Sequence, residues 1–253
     1  MAELVEIHAV DMVILAESAS EPRDIVQHLN DVGHGGFQVP RGLSECVGVF
    51  PRFPREYLQP IFESDRVSIQ RLSIPERLEI LVSAVHLPSK LHWSEASQAF
   101  ACHELARQIA KVEVRVGHRR TVLLGDFNMN PFEPGLVSAV GLNAVMSRRV
   151  AARSSRTVQS AEYPFFYNLM WGHFGDSRGE TAGTYYYDSS EHVKYYWNVF
   201  DQVLVKPELA DNFDSSQLKI LTAIGQRSLV RQDGCPNKSD SSDHLPLIFD
   251  LHF

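Results

Sequence analysis

Short apolar runs recur along the chain and end on polar side chains. Met12 to Ala16, Ile80 to Val85, Thr121 to Leu124, Gln202 to Val205 and Leu247 to Leu251 have the length and aliphatic content of buried strands. Three of them lead into side chains capable of chemistry: Glu17, His86 and, after Gly125, Asp126. Between the runs the apolar period changes to that of helices. Glu21 to Val32 predicts a helix with Ser20 as N-cap, Pro22 in the first turn, Ile25, Leu29 and Val32 facing inward, and Gly33 as the stop. Ser94 to about Val112 predicts a second helix, in which Ala96, Phe100, Ala101, Leu105, Ile109 and Val112 form the core-facing stripe. Helices interleaved with strands predict layered α/β packing with the sheets in the middle. No repeat or Gly/Ser linker interrupts the pattern, so residues 1–253 read as a single domain.

Composition narrows the class. With 253 residues, 44% of them hydrophobic, the chain can bury a large core. It shows no basic-then-apolar leader and no run of the roughly 18 apolar residues a membrane span needs, so the expectation is a soluble, cytoplasmic protein without a membrane role. Cys46, Cys102 and Cys235 are odd in number, widely spaced and free of any CxxC pairing, so neither a disulfide framework nor a zinc knuckle is indicated and ordinary reduced thiols are expected. A formal charge of −7 argues against a general polyanion binder. One local exception is the stretch with Arg148, Arg149, Arg153 and Arg156, which has no carboxylate between Glu133 and Glu162. It reads either as an edge that contacts substrate phosphates, with Arg148 and Arg149 as the candidates, or as a solvated arginine-rich loop.

The candidate chemistry lies at the strand ends. In Val122-Leu123-Leu124-Gly125-Asp126-Phe127-Asn128, extended backbone would point Asp126 and Asn128 into one cleft while Phe127 packs the other way; an Asx turn at the strand end is the alternative. Near the other terminus, Ser242-Asp243-His244 precedes a strand, and an acid beside an imidazole suits metal binding by one and proton or phosphate handling by the other. Glu17 offers a carboxylate of the kind that hard divalent ions bind. Asp201, in Phe200-Asp201-Gln202-Val203, could orient an imidazole. Each of these could instead be a satisfied polar group at a strand end.

Leu15-Ala16-Glu17, Val85-His86-Leu87-Pro88-Ser89-Lys90, Gly125-Asp126-Phe127-Asn128, Phe200-Asp201-Gln202-Val203 and Ser242-Asp243-His244 together resemble, in order and approximate spacing, the motifs of the endonuclease/exonuclease/phosphatase superfamily. The resemblance implies a deoxyribonuclease-I-like fold: a four-layer α/β sandwich of two mixed β-sheets packed face to face, with helices outside. It also implies hydrolysis of a phosphoester by activated water with one or two Mg2+ or Mn2+ ions. Glu17 would bind the metal and Asp243 bind or orient a second ion; Asp126 would orient and deprotonate the water. Asn128 and His86 would hold phosphate oxygens, and His244, oriented by Asp201, would stabilise the phosphoryl group. One departure is that only sixteen residues precede Glu17 and none is Asn. The superfamily's first strand, ending in a site-lining Asn, is therefore expected to be lacking, and Met1 to Val10 reads as the helix that would follow it.

Residues 163–200 are rich in aromatics, read chiefly as core and secondarily as base-stacking faces. Phe166-Tyr167-Asn168-Leu169-Met170-Trp171 and Gly183-Thr184-Tyr185-Tyr186-Tyr187 resemble a bacterial subgroup of the superfamily, and Asn168 is a candidate for holding a phosphate oxygen. The expected function is a metal-dependent phosphoesterase, foremost a nuclease with nucleic acid as substrate. The alternatives are a phosphatase or phosphodiesterase on a small-molecule or lipid-headgroup phosphate, and a catalytically silent binding module of the same fold.

Overall fold

A computed structural model of the chain describes residues 1–32, 35–42, 44–176 and 181–253. The chain begins with α1 (Ala2–Ile7), β1 (Met12–Ala16) and α2 (Pro22–Asp31). β2 (Val47–Pro51) pairs antiparallel with β1, and β3 (Leu58–Ser64), β4 (Val67–Leu72) and β5 (Ile80–His86) form an antiparallel meander. The long α3 (Glu95–Val116) then carries the chain back, so that β6 (Thr121–Asp126) lies parallel to β5. Short elements follow: α4 (Pro134–Val137), β7 (Ala144–Val145), α5 (Arg148–Ala151), the β8 (Ser155–Val158) and β9 (Ala161–Pro164) ladder, and β10 (Phe166–Asn168). β11 (Tyr185–Tyr186) and β12 (Trp197–Asn198) pair as a hairpin ahead of β13 (Asp201–Val205). The last elements are β14 (Lys219–Ile220), β15 (Ala223–Ile224), β16 (Arg227–Ser228) and β17 (Leu247–Ile248).

Seven strands form one mixed sheet in the order β3-β4-β5-β6-β13-β10-β7. Side-chain alternation divides it into two apolar faces. Leu81, Val85, Leu123 and Leu204 face Cys102, Leu105, Ile109 and Val112 of α3. Ile80, Val82, Ala84, Val122, Leu124, Val203 and Val205 face the opposite way, against Val47 and Val49 of β2, Met12 and Ile14 of β1, and Leu247 of β17. On the outer side of the β1–β2 ladder, Val13 and Phe50 pack with Val5 of α1 and Ile25 and Leu29 of α2. The result is the expected four-layer α/β sandwich. Its second sheet is not continuous among the described residues, because β1–β2 and β14–β17 are separate two-stranded ladders.

Several local expectations need correction. Ser20 does not cap α2: the N-cap is Glu21, without a side-chain cap bond, and Pro22 at the first position supplies the helical φ instead. Gly33 lies outside the described residues. Ser94 does cap α3, accepting from the Ser97 N–H, and Gly117 at φ 80° ends that helix in the left-handed conformation. The first turns of α3 are rotated relative to the predicted stripe. Phe100 is 62% exposed, while Gln98 is fully buried and donates to the Pro88 and Asn128 carbonyls at 2.7 and 3.1 Å. Two polar bonds to the loops after β5 and β6 thus outweigh the burial of one aromatic ring there. The last strand is shorter than its apolar run: only Leu247–Ile248 pair with β14, and Leu251 makes a single bridge to Phe213.

At the end of the sheet where β6 begins, Lys206 and Glu113 are both buried, with Nζ 4.0 Å from Oε1. Burial pushes the Lys206 ammonium down to about 8 and the Glu113 carboxyl up, opposed in each case by the partner's charge. The Thr121 hydroxyl donates to Glu113 at 2.7 Å, and Lys206 sits 3.9 Å from the centre of the Phe166 ring. Removing one member of such a pair leaves an uncompensated buried charge. Lys206→Met is expected to lower the unfolding free energy by about 3–5 kcal/mol in urea denaturation, and adding Glu113→Leu is expected to restore most of it.

His118, mostly buried, contacts Glu79 at 3.2 Å. Burial, then Arg120, holds the His118 imidazole below its ordinary value of 6.5. For Glu79, burial acts upward, but bonds from Ser73 and His118 outweigh it and hold the carboxyl below 4.5. Both groups bind protons less readily folded than unfolded, so each removes stability as pH falls, His118 from 6.5 downward and Glu79 from 4.5 downward. In a series of urea titrations, His118→Gln should flatten the loss of stability on acidification below pH 6.5.

Candidate active site

The core row of the large sheet turns polar at one end. Counting by twos along β5, Ile80, Val82 and Ala84 lead to His86; along β6, Val122 and Leu124 lead to Asp126; against the direction of β13, Val205 and Val203 lead to Asp201. All three therefore project on the face that packs against the second layer. Register then aligns them, because His86 is the cross-strand partner of Asp126 and Asp126 is the partner of Asp201. Gly125 permits this alignment. Its φ is 132°, and a Cβ there would stand 2.0 Å from the Val85 carbonyl oxygen on the neighbouring strand.

Glu17 approaches from the second layer, directly after β1, with φ 51° and its N–H donating to Cys46 O at 3.2 Å. Its Oε1 lies 3.2 Å from His86 Nε2, which is also 3.7 Å from Asp126 Oδ2. Burial, opposed by the nearby Glu17 charge, holds His86 below 6.5, so near neutral pH the ring is uncharged. Its other nitrogen, Nδ1, is buried without a partner.

Asp126 and Asn128 do come together, but through a turn rather than through continued extended chain. Asn128 has φ 51°; its backbone N–H donates to Asp126 Oδ1 at 2.7 Å and its Nδ2 to Asp126 Oδ2 at 2.9 Å. The Asx-turn alternative and the shared-cleft reading are thus one arrangement. Phe127 packs into the opposite core, as its position in the motif predicts. Burial, followed by the charge of Asp201, pushes the Asp126 carboxyl up to about 7.

His244 arrives on the loop before β17, with Nδ1 2.8 Å from Asp201 Oδ2. Burial alone would discharge this imidazole, but Asp201, Asp126 and Asp243 outweigh that effect and raise it to about 9. Asp243 points to Lys238, 3.0 Å away. Burial acts upward on its carboxyl, and Lys238 and His244 together hold it below its ordinary value.

No protein-family model and no curated protein matches the sequence. Solved structures match nearly the whole chain. An endonuclease/exonuclease/phosphatase family protein from Bacteroides thetaiotaomicron is 12% identical, with 98% of this chain and 83% of that one covered at TM-score 0.57. Truncated TDP2 from Caenorhabditis elegans is 14% identical, with 97% and 86% covered at TM-score 0.56. The 3′ phosphatase NExo from Neisseria, bound to a product DNA hairpin, is 14% identical, with 96% and 89% covered at TM-score 0.52. The chain has the endonuclease/exonuclease/phosphatase fold.

Within that fold, the donor set suits a hard divalent cation. Carboxylates of Glu17, Asp126 and Asp201 stand at these strand ends, and burial first, then the Asp201 charge, holds the Asp126 carboxyl up, which a bound cation would oppose. Ligand atoms of Asp126, Asp201 and His244 lie within 4.8 Å of one another. This trio differs from the Glu17 and Asp243 pair that the resemblance implies for metal. Glu17 borders it through His86, whereas Asp243 is engaged by Lys238.

Three expected substrate contacts stand elsewhere. Asn168 is fully buried; it donates to Gln202 Oε1 at 2.7 Å and accepts from the Met170 N–H, so its amide braces β10 against β13. Arg148 and Arg149 lie on α5, beside the 3-10 turn Pro207–Asn212 that leaves β13 at the end away from Asp201. Arg148 donates to Phe213 O at 2.9 Å and lies over the Tyr167 ring, while Arg149 is exposed.

Sequence reasoning passed over two residues that hold the site together. Thr184 is fully buried, and its hydroxyl accepts from the N–H groups of Phe200 and Asp201, each at 3.1 Å. Its carbonyl accepts from Leu245 N at 2.8 Å, so one residue fastens both Asp201 and the His244 loop. Asn130 joins the loop after β6 to the segment before β13, through Asn198 Oδ1 and the Val199 N–H, each at 2.9 Å. The second Asn two places after Asn128 was a usable signal for Asn130; Thr184 stood within the Gly183-Thr184-Tyr185-Tyr186-Tyr187 run, but nothing local marks its hydroxyl as the acceptor for β13. Thr184→Val is expected to leave two buried N–H groups without their acceptor, lowering stability by about 1–3 kcal/mol in chemical denaturation. Nuclear magnetic resonance should show the His244 imidazole titrating at lower pH as its contact with Asp201 loosens.

Proposed function

We propose that this protein is a divalent-metal-dependent phosphoesterase that hydrolyses phosphodiester bonds with an activated water, and that it is a nuclease. The observation carrying this reading is the register-aligned row of His86, Asp126 and Asp201, completed by His244 on Asp201 and by Glu17 on His86. Phosphoryl transfer depends chiefly on positioning and on neutralising oxygens that gain charge, and this row supplies fixed donors and a poised base within one small volume.

Each group has a role that follows from its surroundings. Asp126, raised to about 7 and aligned by two bonds from Asn128, takes the proton of the attacking water. The His244 imidazolium, oriented by Asp201, donates to a phosphoryl oxygen. His86, uncharged, holds a further phosphate oxygen, while the Asn128 amide, whose two N–H groups go to Asp126 Oδ2 and Leu87 O, fixes the base rather than the phosphate. Glu17, with Asp243 beside His244, would hold Mg2+ or Mn2+, and the bound ion would supply Lewis-acid polarisation and charge neutralisation. NExo supports nucleic acid as the substrate class, since it is a DNA-bound phosphatase of the same fold. The net charge of −7 favours a second reading, a phosphatase acting on a small phosphate ester.

A panel of single-stranded DNA, duplex DNA, RNA, inositol phosphates and bis(p-nitrophenyl) phosphate, each with manganese or EDTA, decides the matter. Turnover is expected on nucleic acid with manganese and not with EDTA, and Asp126→Asn should lower kcat by about 100-fold or more while circular dichroism stays unchanged. Turnover confined to inositol phosphates would select the second reading. Folded protein that turns over nothing and shows no calorimetric heat with magnesium or manganese would sink both and leave a silent binding module.

A further inference from the structure

A row of aromatic rings leads away from the site. The Tyr185 ring lies 4.7 Å from the His244 ring, and Tyr187 stacks on Tyr185 at 6.4 Å with an interplanar angle of 14°. Tyr187 is 46% exposed. A second row begins at Phe132, four residues after Asn128 in the same loop, on whose ring Tyr195 packs at 5.3 Å; Tyr195 is 53% exposed. Tyr195 belongs to the opposite arm of the β11–β12 hairpin, where the Tyr187 N–H donates to Tyr196 O at 2.8 Å. Hydrophobic burial does not account for a Tyr187 ring left half in water at the end of a stack that begins on His244.

We infer that the exposed ring of Tyr187 is a stacking platform for an unpaired nucleobase flanking the phosphate held at His86, Asp126 and His244. This rests on the phosphoesterase reading and specifies its substrate as a single strand or strand end. Continuity supports the assignment, since the Tyr187 stack begins on a ring of the site itself. Charge decides between occupants. The hairpin's one cation, Lys194, is turned inward onto Asp188 and the Ser189 carbonyl, while the side chains of Asp188 and Glu191 face solvent. A duplex needs cations along both of its phosphate backbones; a single base needs only an aromatic face.

The test is binding by the full chain carrying Asp126→Asn, measured by fluorescence anisotropy with labelled oligothymidylate and with a strand of equal length in which every base is replaced by an abasic analogue. Oligothymidylate should bind about tenfold more tightly or better. Tyr187→Leu, which keeps apolar bulk without a ring, should erase that difference, and Tyr187→Phe should retain it. Equal affinity for the two strands, a difference indifferent to the leucine variant, or tighter binding of duplex than of single strand would each overturn the platform. The phosphoesterase reading would then stand or fall separately, on metal-dependent turnover by the unsubstituted protein.

Discussion

The lateral register of β5, β6 and β13 is the constraint on which the rest depends. Strands in a sheet fix neighbouring residues about 5 Å apart, and a shift of one residue would send every side chain of a strand to the other face. In this protein such a shift would drive His86 or Asp126 into the α3 core and bring an aliphatic residue to the site. Two features hold the register: the apolar alternation along the three strands, and Gly125, whose missing Cβ lets the Val85 carbonyl approach. The same pairing that builds the core therefore assembles the chemistry, and no flexible loop has to find its place for His86, Asp126 and Asp201 to meet.

Concentrating carboxylates at that edge has an electrostatic cost, and the surroundings answer it with fixed dipoles and one imidazolium. Asn128 donates twice to Asp126, His244 faces Asp201, and His86 stands uncharged between Glu17 and Asp126. Even so, burial and then the Asp201 charge keep the Asp126 carboxyl high. Carboxyls perturbed in this way by burial and a specific charged neighbour cluster at functional sites. Behind the edge, fully buried amides and one hydroxyl, those of Gln98, Asn130, Asn168, Gln202 and Thr184, tie together the loops from which the chemical groups project. These bonds lie in apolar surroundings, where an unmade hydrogen bond is expensive, so they confer rigidity as well as stability.

Much of this was legible along the chain. Five apolar runs gave the strands that carry Glu17, His86, Asp126 and Asp201 and lead on from His244, because burial on two faces demands continuous aliphatic content and the polar residue at a run's end marks where the sheet meets solvent. Strands such as β3 and β4 escaped notice: β3 is a sheet edge, which tolerates mixed polarity, and in the interior strand β4 the buried Ser68 and Gln70 break the apolar run. The Ser94 cap was readable because capping is local; the rotation of α3 was not, because Gln98 is drawn inward by the carbonyls of Pro88 and Asn128, which only the folded chain brings near.

The sequence by itself determined the layered α/β class, the strand ends and the residue types available for phosphoester chemistry, since these follow from local periodicity and side-chain chemistry. Tertiary structure alone decided which of those residues meet. It set Asn168 and Arg148 to bracing the scaffold, gave Thr184 both Asp201 and the His244 loop to hold, and placed Asp201 beside Asp126 although 75 positions separate them in the chain. The physical reason is that hydrogen-bond register, side-chain alternation and the energetic demand of buried polar groups act between segments distant in sequence, and no window along the chain contains both partners.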